Sequence, residues 1–384
     1  MRPHQTEVRD VGGANAVEPP LVSKSARATI DTPALVIDID RVDAAIARMA
    51  SGMRERDVSL RPHAKTHKSI EVGRRQVGAG SVGLTVGTIG EAEVFAAGGI
   101  QDLFIAYPLV PLGPKADRLR ALAGSARLRL GFDSVVGAHA IADALGDDIG
   151  RVSLLLEIDS GGRRTGVAPD EAGSVAAAAR DLGLDVVGVF THGGHSYHGR
   201  DARAPAADDE VRELTAAAAS LRAAGIEPTV ISAGSTPTAL ESARGAVTEE
   251  RPGTYVFGDR QQVALGSIAP DAPAAVIAAR VTSVNSADRR FVIDAGAKTL
   301  TKDVPPYLAG HGAIPELGGV VARVSDYHGV VDIAEGSPVP EVGRVVLVVP
   351  NHICPVVDLF DSMLVVKDGE IVDTWRVDAH SRSG

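Results

Sequence analysis

The sequence predicts an α/β protein, an eight-fold β/α barrel followed by a C-terminal antiparallel β domain. Three observations carry this. Between Asp31 and about Asp259, short β-branched runs alternate with longer alanine-rich segments, the pattern of repeated βα units around a parallel sheet. Polar and glycine-rich clusters follow the apolar runs, where barrel proteins carry their functional loops. After about Pro270 the helical segments stop, and strand-like runs succeed one another directly.

In chain order, Ala34 to Asp40 reads as the first strand, with Asp40 as cap of a helix whose Val42, Ile46, Met49 and Met53 fall on one face. Further barrel strands are expected at Val58–His63, Ser81–Val86, Asp102–Tyr107, Ala126–Phe132, Val152–Asp159, Asp185–Thr191 and Pro228–Ala233, eight with the first. An open doubly wound sheet is the alternative, and its ligands would also lie beyond the strand ends. The later strands are expected at Ala275–Val284, Arg290–Asp294, Gly318–Val324, Arg344–Val349 and Ser362–Val377. The last folds back at Lys367-Asp368-Gly369, a hairpin signal. The expected organisation is a loose arm over residues 1–28, a barrel over 29–265 and a β domain over 266–384.

The 384 residues are 45% hydrophobic and carry a formal charge of -10, with no basic stripe interleaved with aromatics, which argues against nucleic acid as a partner. No run approaches the roughly 18 apolar residues of a membrane span. The single cysteine, Cys354, leaves no intrachain disulfide framework and suits a reducing cytoplasm.

The chemistry-bearing residues gather at strand ends. Arg61-Pro62-His63-Ala64-Lys65-Thr66-His67-Lys68 closes the second strand; Lys65 is either a solvated surface charge or, inside a barrel mouth, an amine able to condense with an aldehyde cofactor. Gly234-Ser235-Thr236-Pro237-Thr238 could cradle a phosphate or simply cap a helix, and Arg251-Pro252-Gly253-Thr254-Tyr255 adds a fixed charge, a close-approach glycine and a phenol. Arg163 and Arg164 follow Glu157 and Asp159, as an ion pair or as a clamp for an anionic group. His192, His195 and His198 lie with Tyr197 in one short loop, a density that favours a site over a surface cluster. In the β domain, His352 and Cys354 are read on an extended segment with both side chains on one face, a ligand pair that zinc accepts; Asp326, Tyr327 and His328 are candidate neighbours.

Together these segments resemble the fold-type III pyridoxal-phosphate enzymes, and within them the D-threonine aldolase and D-serine dehydratase family. The resemblance runs from about Thr32 to the last strands. It implies that Lys65 is the Schiff-base lysine, that Gly234, Ser235, Thr236, Gly253 and Thr254 contact the cofactor phosphate, and that Arg164, His192, Tyr197 and Tyr255 stand beside it. Arg251 is similar to the arginine that faces the pyridine nitrogen in alanine racemases. His352 and Cys354 resemble the metal pair of the dehydratases, with zinc, manganese or magnesium as the ion. Where the aldolases more often place an aspartate, this chain has Cys354, which tilts the expectation toward elimination.

The activity the resemblance implies is a lyase acting on β-hydroxy D-amino acids, working as a cytoplasmic homodimer. Removal of the Cα proton by Lys65 with loss of the β-hydroxyl would be dehydration to a 2-keto acid and ammonia. Deprotonation of the β-hydroxyl by His195 or His198 would instead give retro-aldol cleavage to glycine and an aldehyde. An amino acid racemase would leave the metal pair idle, and a non-catalytic pyridoxal-phosphate carrier would lack the β domain.

Overall fold

The computed structural model describes residues 21–384. Of the arm expected over 1–28, residues 1–20 lie outside the described residues, and Lys24–Thr29 form a short helix capped by the Ser23 hydroxyl. No helix among the described residues is long and apolar enough to cross a membrane.

In chain order the strands are β1 (Ala34–Asp38), β2 (Ser59–Leu60), β3 (Leu84–Val86), β4 (Asp102–Pro108), β5 (Arg127–Phe132), β6 (Val152–Glu157), β7 (Asp185–Phe190), β8 (Val230–Ala233) and β9 (Glu249–Glu250). They continue as β10 (Ala275–Asn285), β11 (Arg290–Ile293), β12 (Gly312–Ile314), β13 (Gly319–Val324), β14 (Gly329–Ile333), β15 (Val345–Pro350), β16 (Ser362–Lys367) and β17 (Glu370–Arg376).

Strands β2 to β9 form an eight-stranded parallel sheet in the order β2-β9-β8-β7-β6-β5-β4-β3, and a parallel bridge between His63 and Thr85 joins its two edges into a barrel. The expected strand count holds, but one member differs. The first apolar strand, β1, is not in the barrel: it pairs antiparallel with β10 and parallel with β16. The eighth position is filled by the acidic dipeptide Glu249-Glu250, bonded to β8 and β2. A strand apolar on both faces reads the same whether it lies in a parallel barrel or in the middle of another two-sided sheet, so β1 gives no local sign of its sheet. The following helix, Ile39–Arg54, is capped by the Asp38 carboxylate, which accepts the Arg41 N–H, and not by Asp40; its Val42, Ile46, Met49 and Met53 are buried as the spacing predicts.

In the β domain, β10, β15, β12, β13, β14 and β11 close into an antiparallel ring, because the long β10 pairs with β1 and β15 over its first half and with β11 after an irregularity at Val281–Ser283. The Asp368-Gly369 turn, with φ of 50° and 81°, joins β16 to β17 as the hairpin signal predicts. The helix Lys24–Thr29 packs its Ala26 with Val36, Val276, Leu347 and Val366, so the residues before the barrel belong to the β-domain core.

The barrel lumen is layered. At the bottom, the buried Arg61 donates to Glu249 (2.8 Å) and Asp102, and Arg129 donates to the same Glu249 oxygen at 3.0 Å. Above lies an apolar plug of Phe104, Leu155 and Phe190, with the two rings edge to face at 5.1 Å. The Arg251 guanidinium caps it, its centre 5.7 Å and 5.2 Å from the two ring centroids.

Glu249 explains why an acidic pair occupies a barrel strand. Burial would raise its pKa, but Arg61 and Arg129 hold it below the ordinary carboxylate value. Glu249→Ala leaves the buried Arg61 and the half-buried Arg129 without their shared partner and is expected to cost about 3–5 kcal/mol in urea unfolding, whereas Asp102→Ala, on the more exposed arm of the network, costs less.

Candidate active site

A cavity of about 400 Å³ opens at the C-terminal ends of the barrel strands, with Lys65 in it and His63, Arg164, His192, Tyr197 and Arg251 around it. A larger hollow of about 600 Å³ lies outside the strand ends, along the helix Ile39–Arg54. The smaller one is where the buried titratable groups meet.

Lys65 is placed by a tight turn, Ala64–Thr66, whose first residue follows the capping His63; His63 Nδ1 accepts the Lys65 N–H at 3.3 Å. That turn is held from both sides, by the Thr85 N–H on the Pro62 carbonyl (2.8 Å) and the His63 N–H on the Pro252 carbonyl (3.0 Å). The Lys65 side chain is open to the cavity but enclosed by protein beyond it. This enclosure lowers its pKa; Cys354 and Glu91 oppose the shift, while Arg164 and Arg251 add to it. His192 is brought down to about 3 by burial first and then by Lys65, Arg164 and Arg251. His63 is lowered by burial foremost, then by Lys65, Arg251, His192 and His67. The imidazoles are therefore neutral at physiological pH, and the positive field left by Lys65, Arg164 and Arg251 favours an anion.

Two turns provide a seat for one. Among the described residues, no protein acceptor takes the backbone N–H of Thr236, Gly253 or Thr254, and all three residues line the cavity. Gly253 has to be glycine: a Cβ there would stand 2.9 Å from both the His63 carbonyl oxygen and the Thr66 hydroxyl. Buried amide donors without partners, next to the buried Arg251, are the chemistry of a phosphate seat. The other two expected contacts are engaged internally: the Gly234 N–H donates to Glu210 (3.1 Å) and the Ser235 N–H to the Thr238 hydroxyl (3.2 Å). Ser235 Oγ also lies 3.2 Å from Ser196 Oγ.

Arg251 cannot swing, because its guanidinium donates to the Ser232 hydroxyl (2.6 Å) and to the carbonyls of Ala233 and Thr191. Tyr197 lies with its ring 6.4 Å from that of His192, and burial pushes its phenol up. Tyr255 is a correction: its phenol is buried on the far side of the turn, accepting from Gln76 Nε2 at 3.0 Å, and only its backbone N–H serves the site by bonding the Thr236 hydroxyl. His195 and His198 line an adjoining lobe of about 290 Å³, which shares Arg164, Thr165, His192 and Tyr197 with the main cavity. There His195 Nε2 lies 3.2 Å from Asp209.

The β domain delivers His352 and Cys354 to this site by a route the sequence did not suggest. The extended segment ends at His352, which stands at the N-cap position of a short helix, Ile353–Val357, and Cys354 sits in its first turn. The buried Asp259, just after the barrel's last strand, accepts the Ile353 N–H between them (3.0 Å). Cys354 Sγ lies 3.2 Å from the Thr66 hydroxyl, next in the chain to Lys65. Burial would raise the thiol, but His352, Lys65 and Thr66 bring it down; burial likewise opposes the His352 imidazolium, which Cys354 and Asp303 push up to about 10. Asp303, absent from the sequence candidates, lies 2.7 Å from His352 Nδ1 and orients the ring. No residue-type pattern links two positions so far apart in the chain. The candidate neighbour Tyr327 instead accepts from Lys298 at 2.9 Å.

The alanine racemase N-terminal domain family matches residues 37–261, and the serine dehydratase domain family matches 274–366. The chain is 33% identical over 380 residues to a D-threonine aldolase of Arthrobacter sp, covering 96% of this chain and 97% of the relative. It is 36% identical over 372 residues to the D-threo-3-hydroxyaspartate dehydratase of Delftia sp. (strain HT23), covering 90% and 97%. The solved structure of that dehydratase superposes with a TM-score of 0.83 at 33% identity, over 91% of this chain and 98% of the other. Solved variants of D-threo-3-hydroxyaspartate dehydratase replace a histidine and a cysteine two positions apart, the cysteine variant in a metal-free form. A D-threonine aldolase from Filomicrobium marinum matches with a TM-score of 0.84 at 30% identity, over 92% and 96%.

Neutral buried histidines make the fold acid-sensitive. The folded-state pKa values of His67 (about 4) and His192 (about 3) lie below the 6.5 of the unfolded chain, so the unfolded state binds more protons in that window. Stability is then complete above about pH 6.5 and falls as the pH drops toward 4. Urea unfolding between pH 7 and 5 should show this loss, and a His192→Asn variant should show a shallower slope.

Proposed function

The chain belongs to the alanine racemase-type, fold-type III family of pyridoxal-phosphate enzymes that includes D-threonine aldolases and D-threo-3-hydroxyaspartate dehydratase, and from that premise we propose that it is a divalent-metal-dependent dehydratase of β-hydroxy D-amino acids. The observation that carries this reading is the His352–Cys354 pair set against the Lys65 turn. D-threo-3-hydroxyaspartate dehydratase, with its histidine and cysteine variants at the same spacing, supports it.

The residues present fit the cofactor. Lys65 provides the amine, the N–H groups of Thr236, Gly253 and Thr254 a seat for the phosphate, and Arg164, His192, Tyr197 and Arg251 the surroundings of the ring. Cys354 and His352 would hold the metal, and a thiolate with an imidazole favours zinc over manganese or magnesium. When bound, pyridoxal phosphate supplies an electron sink for the pair left at Cα, and the divalent ion supplies Lewis acidity toward a β-hydroxyl. Lys65, its pKa drawn down by enclosure, takes and holds the Cα proton. Loss of the hydroxyl then leads to a 2-keto acid and ammonia.

The aldolase reading has its own support. His195, steadied by Asp209 at the edge of the adjoining lobe, is a base able to take a β-hydroxyl proton, with His198 beside it. Full-length resemblance to D-threonine aldolases favours it as well.

We also propose a cytoplasmic homodimer. Supporting the dimer are the exposed side chains of Tyr107, which lines the cavity, and of Val110, Leu112, Val135 and Val136, which follow the ends of β4 and β5. A free thiol suits a reducing compartment.

The test uses the full chain with pyridoxal phosphate and zinc or manganese, its mass fixed by light scattering, supplied with D-serine, D-threonine and D-threo-3-hydroxyaspartate. Keto acid and ammonia that vanish with a chelator and return with metal are expected. Glycine with aldehyde would replace the dehydratase by the aldolase, and a mass of 39.6 kDa would remove the dimer. Separately, Asp303→Ala should weaken metal binding about 10- to 100-fold, read by calorimetric metal titration, with the cofactor absorbance retained.

A further inference from the structure

Behind the phosphate seat lies a pair of carboxyl groups with no part in the chemistry above. Glu210, on the helix Arg203–Ala223, and Glu250, at the end of β9, are both fully buried. One oxygen of Glu210 accepts two backbone N–H groups, from Gly193 at 2.9 Å and Gly234 at 3.1 Å. One oxygen of Glu250 accepts from the Ser242 hydroxyl at 2.7 Å. The second oxygen of each, Oε2, is buried and has no hydrogen-bond partner among the described residues.

The close approach is built in. A Cβ on Gly234, at φ +112°, would stand 2.0 Å from Glu250 Oε2, and one on Gly193 would stand 2.7 Å from the Glu210 carboxyl carbon. Both glycines thus exist where they do so that the two carboxyls can press against the loop backbones. Two buried carboxylate oxygens without donors are costly singly and worse together. One proton held between them satisfies both. The groups facing the pair are consistent with this: burial raises both pKa values, Glu210 and Glu249 add to the rise at Glu250, and the Thr238 hydroxyl, the two backbone N–H groups, the Ser242 hydroxyl and Arg251 oppose it.

We propose that Glu210 and Glu250 share one proton and act as a clasp, with Glu210 as a positioning residue that fixes the His192-Gly193 loop to the Gly234-Ser235-Thr236 turn and so sets the geometry of the cofactor seat. The clasp touches neither substrate nor cofactor. It joins the two loops that, with the Gly253 turn, surround the seat, and it does so through backbone N–H groups, which explains why no motif marks it. A carboxyl kept half-protonated accepts both N–H bonds without adding a full negative charge behind a phosphate.

The proposal rests on the reading of the cavity as a pyridoxal-phosphate site, and the test separates the two. Full-length Glu210→Ala and Glu210→Gln are prepared without cofactor and titrated with pyridoxal phosphate by absorbance, and the ³¹P resonance of the bound phosphate is recorded. Glu210→Gln keeps the accepting oxygen and supplies an N–H toward Glu250, so it should bind within about threefold of wild type; Glu210→Ala should lose about tenfold or more, with a shifted or broadened ³¹P signal. Wild-type affinity and an unshifted signal in Glu210→Ala would overturn the clasp, and equal damage in both variants would overturn the shared proton. Failure of the wild type itself to bind pyridoxal phosphate would overturn the site reading instead. Should Glu210→Ala not fold, infrared spectroscopy decides: a carboxylic-acid C=O stretch is expected in wild type well above the ordinary carboxyl pKa, and it should be lost in Glu210→Gln. Its absence in wild type would overturn the proposal.

Discussion

The Arg251 guanidinium is the interaction on which the rest of the site depends. A buried guanidinium has to satisfy its donors within the protein, and Arg251 does so by reaching Ser232, Ala233 and Thr191, thereby tying together the ends of β7, β8 and β9. It also lies over Phe104 and Phe190, which close the lumen beneath. The floor of the cavity is therefore a fixed positive charge on an aromatic plug. Burial foremost, and this charge in addition, make the lysine and histidines above it lose protons more readily than in water, and an anion is drawn to the open N–H groups.

The site is also a product of two domains. The barrel provides Lys65 and the two turns, but the His352–Cys354 pair comes from the segment after β15 and is held against the barrel by hydrogen bonds of backbone and side chains. Asp259 accepts the Ile353 N–H, Gln261 donates its N–H to the Asn351 carbonyl, and Arg260 donates to the Asn351 side chain at 2.6 Å. Asp259 caps the barrel helix Arg260–Ala264, so the end of the barrel fold also sets the placement of the His352–Cys354 pair. A chain with this arrangement couples domain docking to assembly of the site.

Much of this was legible from residues. The Arg61–Lys68 segment stood out because a strand ending in so many polar groups has no packing reason to do so, and Lys65 is found in the cavity at that strand end. The Gly253 position was readable as a close approach, and the contact with His63 and Thr66 gives the reason. The hairpin at Asp368-Gly369 needed only local conformational preference. What failed to read was of another kind. β1 and Glu249-Glu250 exchange roles because propensity rewards apolar runs, whereas the lumen of this barrel needed acid against Arg61 and Arg129. Tyr255 is buried away from the cavity with its phenol on Gln76, and only its backbone N–H reaches the site. Nothing local distinguishes Asp303, Glu210 and Glu250 from ordinary acidic residues, and their partners lie in other elements.

By itself, the sequence determined the class of fold, the strand ends that carry chemistry and the residue types available there, because these depend on periodicity and on short-range constraints that the chain carries locally. It also determined the family, through ordered segments spread over nearly the whole length. Only the tertiary structure decided which strands close the barrel, which backbone N–H groups are left open for an anion, and which carboxylates stand behind His352 and the Gly234 turn. Those outcomes depend on pairings across more than a hundred residues in some cases, such as Lys65's neighbour Thr66 with Cys354, 288 positions apart. No local preference encodes such a pairing; it is fixed when burial forces each polar group to find a partner.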